Sequence, residues 1–168
     1  MKKLAAFLSL TAALFFLSHA ANAQLKFGYI STQELITSQP EFKKADTAMQ
    51  EYQQALNQQY LDMVADFNQQ DSVLKITPSK FTAAQRSVKE QALQELYRRI
   101  QGWQQQAQDL SQRKQQELLA PVYDKVKKAI ADVAKENGFT FIFNKEQLLV
   151  SPPGDDILPL VKKKLNIK

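Results

Sequence analysis

The sequence predicts an α+β chain that is mostly α: a long antiparallel helical hairpin, coiled-coil in character, standing as an arm on a small β-rich body. Three observations predict it. Residues 41–120 place apolar side chains every three or four positions and contain a single glycine, Gly102. The stretch "KITPSKFT", residues 75–82, breaks that repeat with Pro78 and Ser79. Two β-prone stretches, "LKFGYIS" and "FTFIF", flank the repeat.

At the N-terminus, Lys2 and Lys3 precede an apolar run over residues 4–17, and Ala21-Asn22-Ala23 is a small-x-small cleavage site. Residues 1–23 are therefore expected to be a cleaved export signal, with Gln24 opening the mature chain. That leaves 145 residues with 20 basic and 17 acidic side chains, a mild net charge of +3. The only histidine, His19, goes with the signal, and the sequence has no cysteine. Without imidazole or thiolate, His/Cys zinc sites and Ser/His or Cys/His catalysis are excluded. No phosphate-binding loop or EF-hand pattern appears. The expectation is a protein that is not an enzyme, with no catalytic residue, no metal and no cofactor.

The first arm helix carries the stripe Phe42, Ala45, Met49, Tyr52, Leu56, Tyr60, Met63, Phe67, Leu74. The second carries Phe81, Ala84, Val88, Ala92, Leu96, Ile100, Trp103, Ala107, Leu110. In an antiparallel hairpin, facing residues have a constant index sum. Pairing Leu74 with Phe81, Leu56 with Ile100 and Ala45 with Leu110 holds that sum at 155 or 156. The first helix is net acidic and the second net basic, which favours the pairing weakly. The arm should project roughly 50 Å and have a core only one layer wide. Beyond it, "ENGFTF" ends the second helix at Gly138, "LLVS" is expected to be a short strand, and "PPGDD" leads into a terminal helix capped by Asp155 or Asp156. The domain boundaries expected are residues 24–40 and 121–168 for the body and 41–120 for the arm, with its tip near 75–82. So small a body calls for self-association to complete its core.

The stretch "LLAPVYDKVKKAIADVAKENGFTFIFNK" resembles the end of the second long helix and following strand of the Skp (OmpH-like) periplasmic chaperones. "LKFGYISTQELITSQPEFKKA" is similar to that family's first strand and the start of its first long helix, and "DDILPLVKKKLN" to its closing helix. The likeness runs in order from Lys26 to Asn166. It implies a periplasmic, jellyfish-like homotrimer whose three arms hang around a cavity, and whose clients are unfolded outer-membrane proteins held without ATP. A membrane surface or lipopolysaccharide is a further partner class. Pro121 matches a proline common in this part of the family, where a bend is expected as the helix enters the body.

Assembly candidates are Phe27, Tyr29, Ile30, Val126, Ile130, Val133, Phe139, Phe141 and Ile142. Client-contact candidates are the apolar residues off the stripe: Leu61, Val64, Leu93 and Tyr97. The competing reading is a periplasmic coiled-coil adaptor that docks a folded partner through its tips, where Lys75, Lys80, Arg86 and Lys89 cluster. Nucleic acid is not an expected partner, because the arm carries ten basic and ten acidic residues and no basic-aromatic groove.

Overall fold

The computed structural model describes residues 25–167, and the expected export signal lies outside them. In chain order the elements are β1 (Phe27–Ile30), α1 (Thr32–Thr37), α2 (Pro40–Ile76), α3 (Ala83–Glu136), β2 (Phe141–Asn144) and α4 (Leu158–Lys164), with short 3-10 turns between. Among the described residues no helix is long and apolar enough to cross a membrane.

β1 and β2 pair in parallel, Phe27 opposite Phe141 and Ile30 opposite Asn144. The whole helical hairpin is therefore the crossover between two four-residue strands. On its other edge β1 bridges to Asp156, and the Ile157 N–H donates to the Tyr29 carbonyl at 3.0 Å. A methyl on Gly28 would sit 3.0 Å from the Phe139 ring and 3.1 Å from Ile157, so the strand needs glycine there for close approach. The expected "LLVS" strand does not form; Leu149 and Val150 hang in solvent. Pro152 and Pro153 follow directly and remove the N–H donors a ladder would use. The Tyr29 hydroxyl holds this loop instead, donating to the Pro152 carbonyl at 2.8 Å and lying 3.2 Å from that of Ser151.

The Ser31 hydroxyl caps α1 by accepting the Glu34 N–H at 3.2 Å. Its proton goes to Glu146, and Thr32 donates to Asn144 Oδ1 at 3.0 Å, so the start of α1 is tied to the end of β2. Gly138, at φ +72°, ends α3, and the Phe139 N–H donates back to the Ala134 carbonyl at 2.9 Å. That is the 6→1 bond of a Schellman turn, and it throws Phe139 onto the core. α3 is unbroken for 54 residues, through Pro121, which lies on an exposed face. There the freed Glu117 carbonyl meets water rather than a buried void. α4 starts after Ile157, with Asp156 Oδ1 accepting the Leu158 N–H at 2.9 Å.

The body core is built within one chain. Val122, Val126, Ala129 and Val133, spaced four, three and four, turn one face of α3 onto Ile30, Leu35, Ile36, Ile157 and Val161. The arm is much thinner. From Ala45 to Trp103 its buried side chains are Ala45, Leu56, Leu74, Leu93, Leu96 and Trp103. At 1.5 Å per residue, the 37 residues of α2 span about 55 Å.

The hairpin register differs from the expected one by about a heptad. Phe67 packs on Tyr97, with ring centroids 5.9 Å apart, an index sum of 164. Ala45 and Leu118 line one small cavity, a sum of 163, and Lys125 donates to Glu41 at 2.6 Å, a sum of 166. An apolar repeat of seven looks the same to itself after a shift of seven, so both registers match large residues to small ones. The stripe of α2, apart from exposed Tyr60, and that of α3 from Leu96 onward are as expected. Upstream, Leu93 turns inward while Ala92 and Val88 face solvent. Positions three and four before Leu96 both lie near the seam, and the larger side chain gains more from burial.

Candidate functional site

Of the four client-contact candidates, Leu61 and Tyr97 are about half exposed and Val64 is partly covered. Leu93 is only 8% exposed and belongs to the hairpin core, which corrects its assignment as a surface contact. Tyr97 leans on Phe67 at an interplanar angle of 39°, so one ring face packs and the rest stays open.

At the tip, Thr82 caps α3 in a reciprocal box with Gln85. Lys75 pairs with Asp71 at 2.7 Å and Arg86 with Glu90 at 2.9 Å, both in the i, i+4 geometry. Lys89 lies 5.1 Å from the Phe81 ring centre. Among the described residues Lys80 and Lys89 have no ion pair, so the tip keeps a basic bias, and exposed Ile76 and Val88 add an apolar character.

In the body, the nine assembly candidates divide. Tyr29, Ile30, Val126 and Val133 are buried inside the protomer and offer a partner no free surface, which corrects their assignment. The helical spacing of Val126 and Val133 signalled burial, and with Ile30 they are buried against α1 and α4 of the same chain. Ile130, Phe139 and Ile142 cover the edge of that core. Phe27 and Phe141 are about half exposed and stack on each other at 5.8 Å and 15°. Phe143, absent from the sequence candidates, completes the patch 6.1 Å from Phe27. Period-two alternation puts Phe141 and Phe143 on one face, so the signal was present in "FTFIF". Among the described residues no strand pairs with the outer edge of β2.

Charge ties the arm to the body. The Lys125 ammonium donates to Glu41 and holds that carboxyl below its ordinary value. The Ser31 hydroxyl does the same for Glu146. Lys162 reaches Glu34 at 2.8 Å, and Lys164 reaches Glu136, which holds the Lys164 ammonium protonated above its usual range. Among the described residues no group of three His, Cys, Asp or Glu is gathered as a metal site.

A two-helix arm inserted between the strands of a small α/β body defines a coiled-coil-armed protein. The chain belongs to the OmpH-like family: the family model described as outer membrane protein (OmpH-like) matches residues 26–165. No curated protein matches it. Its fold is similar to the crystal structure of an OmpH-like candidate outer membrane chaperone from Caulobacter crescentus CB15. That match has a TM-score of 0.68 and 17% sequence identity, over 87% of this chain and 86% of the other. At that identity the likeness is one of fold.

Proposed function

We propose that the protein is an ATP-independent holdase chaperone of the periplasm, and not an enzyme. On this reading residues 1–23 are a cleaved signal, residues 24–40 and 121–168 form a trimerisation body, and residues 41–120 form arms around a cavity. The cavity takes unfolded outer-membrane proteins and keeps them from aggregating. One observation carries the reading: a 55 Å arm, roughly, held by a handful of buried side chains and presenting half-exposed Leu61 and Tyr97. A thin core bends readily, and a bending arm fits clients of different size. Membership of the OmpH-like family supports it, as does the fold shared with a candidate outer membrane chaperone.

The exposed aromatic patch of Phe27, Phe141 and Phe143, beside the open edge of β2, supports the trimer. Acidic lipid or lipopolysaccharide would meet Lys75 and Arg86 already paired at the tip, so contact there depends on Lys80, Lys89 and the apolar Ile76.

The test is dilution of a urea-denatured outer-membrane barrel into the mature protein, without nucleotide or metal, with turbidity and complex mass as readouts. Suppression should saturate at a fixed ratio of assembly to client. Failure with every barrel tried would overturn the reading. Exposed Ile76 and Val88 favour a second reading, a tip-docking adaptor, which would instead bind one folded partner and lose it on Ile76→Ser.

A further inference from the structure

Midway along the arm the two helices part around an open groove of about 550 Å³. Leu56, Ile100 and Trp103 form its floor. Its rim carries five amides, Gln53, Asn57, Gln101, Gln104 and Gln108, and no charged side chain lines it. That neutrality stands out on an arm with ten basic and ten acidic residues.

Four amides of the arm pair with aspartates of their own helix. Gln50, Gln58, Gln70 and Gln105, outside the groove, each donate to an aspartate four positions away, at 2.7 to 3.0 Å. None of the five groove amides has an aspartate four positions away, which they share with other arm amides such as Gln54, Gln59 and Gln106, and all five are exposed. Each keeps two donors and an acceptor directed to solvent around an apolar floor.

The geometry points to a binding site for an extended stretch of polypeptide. A primary amide presents the same donor and acceptor as a peptide group, so a row of them can satisfy the backbone of a strand that has lost its neighbours. Exposed Tyr60 and half-buried Ile100 offer the apolar contact for the side chain that alternation places on one side of that strand. From Gln53 to Tyr60 the groove runs about 10 Å, which covers roughly three residues of extended chain. A site so short binds weakly, and gains strength when one long client meets several arms. Trp103 is only 6% exposed, so a glycan would have Tyr60, 39% exposed, as its one open aromatic face in the groove, and the test below separates that occupant. The inference rests on the chaperone reading above and names the place on the arm where a client's backbone is held.

Trp103 is the only tryptophan in the chain, so its emission reports on the groove. The mature protein would be titrated with a ten-residue peptide alternating valine with threonine, and with the same peptide methylated at alternate backbone nitrogens. The first should change the intensity of Trp103 emission as the residues around it are ordered, and the second should bind about five- to tenfold more weakly. Gln101→Ala with Gln104→Ala should weaken the first peptide about tenfold, while Gln50→Ala with Gln58→Ala on the outer face should leave it unchanged. Equal binding of the two peptides overturns the inference, as does a response to an N-acetylhexosamine oligomer but to neither peptide. Silence of Trp103 while a denatured barrel is still kept soluble refutes the groove and spares the chaperone reading. A peptide response with no barrel held refutes the chaperone reading and spares the groove.

Discussion

A pair of engineered cysteines distinguishes the observed hairpin register from the one the apolar stripe suggests. Ala45 is 6% exposed, so α3 passes close to its methyl group, and it shares a small cavity with Leu118. Ala45→Cys with Leu118→Cys should form an intrachain disulfide. Ala45→Cys with Leu110→Cys should not, because Leu110 lies eight residues away along α3, about 12 Å at 1.5 Å per residue. A disulfide tolerates Cα separations of only about 4.4–6.8 Å, so the two registers cannot both close. The sequence has no native cysteine to compete. Linking positions 45 and 118 closes a loop of some seventy residues, which should stabilise the arm by up to about 4 kcal/mol. The assay is oxidation at low protein concentration, peptide mapping of the disulfide, and thermal unfolding with and without reductant. Closure of the Leu110 pair, with the Leu118 pair open, would falsify the register and with it the groove around Trp103.

Three further outcomes are expected. Gly28→Ala forces a methyl against Phe139 and Ile157 and should cost about 1–3 kcal/mol, seen as a lowered melting temperature; an unchanged one would mean the strand does not pass that closely. Phe141→Asp should reduce the mass measured by light scattering while helical circular dichroism persists, because Phe141 is about half exposed in the protomer; a retained oligomer places the interface elsewhere. Because Lys125 lowers the Glu41 pKa, the pair's contribution is present above the ordinary carboxylate value and is lost as pH falls through the depressed one. Lys125→Gln should therefore lower the melting temperature near about pH 6 but not near about pH 3, and a constant difference would show that the pair is not the cause.

Local chemistry made the elements legible from sequence, and relations between distant elements were harder to read. Pro78 marked the tip, Gly138 marked the end of α3, and the spacing from Phe42 to Leu74 marked the buried face of α2, because each is settled by its neighbours in the chain. The register was ambiguous because a heptad repeat matches its own shifted copy. Leu93 was misplaced because two adjacent positions compete for one seam. Ile30, Val126 and Val133 read as apolar, but only the fold shows that they pack with α1 and α4 of the same chain, and that Tyr29 is held by the Ser151–Pro152 loop. The paired glutamines were legible, since each has an aspartate four residues away on its own helix, whereas which amides line one groove depends on the register of the two helices.

The parallel pairing of Phe27 with Phe141 also constrains the order of folding. Bringing those residues together across a disordered chain closes a loop of more than a hundred residues, at an entropic cost of about 4 kcal/mol plus a constant. The hairpin, in contrast, zips from its tip through contacts that begin a few residues apart, and its growth carries Pro40 and Val122 side by side. The arm is therefore the scaffold on which the body nucleates. A change that loosens the tip, such as Leu74→Ala, should slow folding of the distant strands more than it speeds their unfolding. On the chaperone reading, a chain that must fold before it can protect others would have its readiness set by the slender arm.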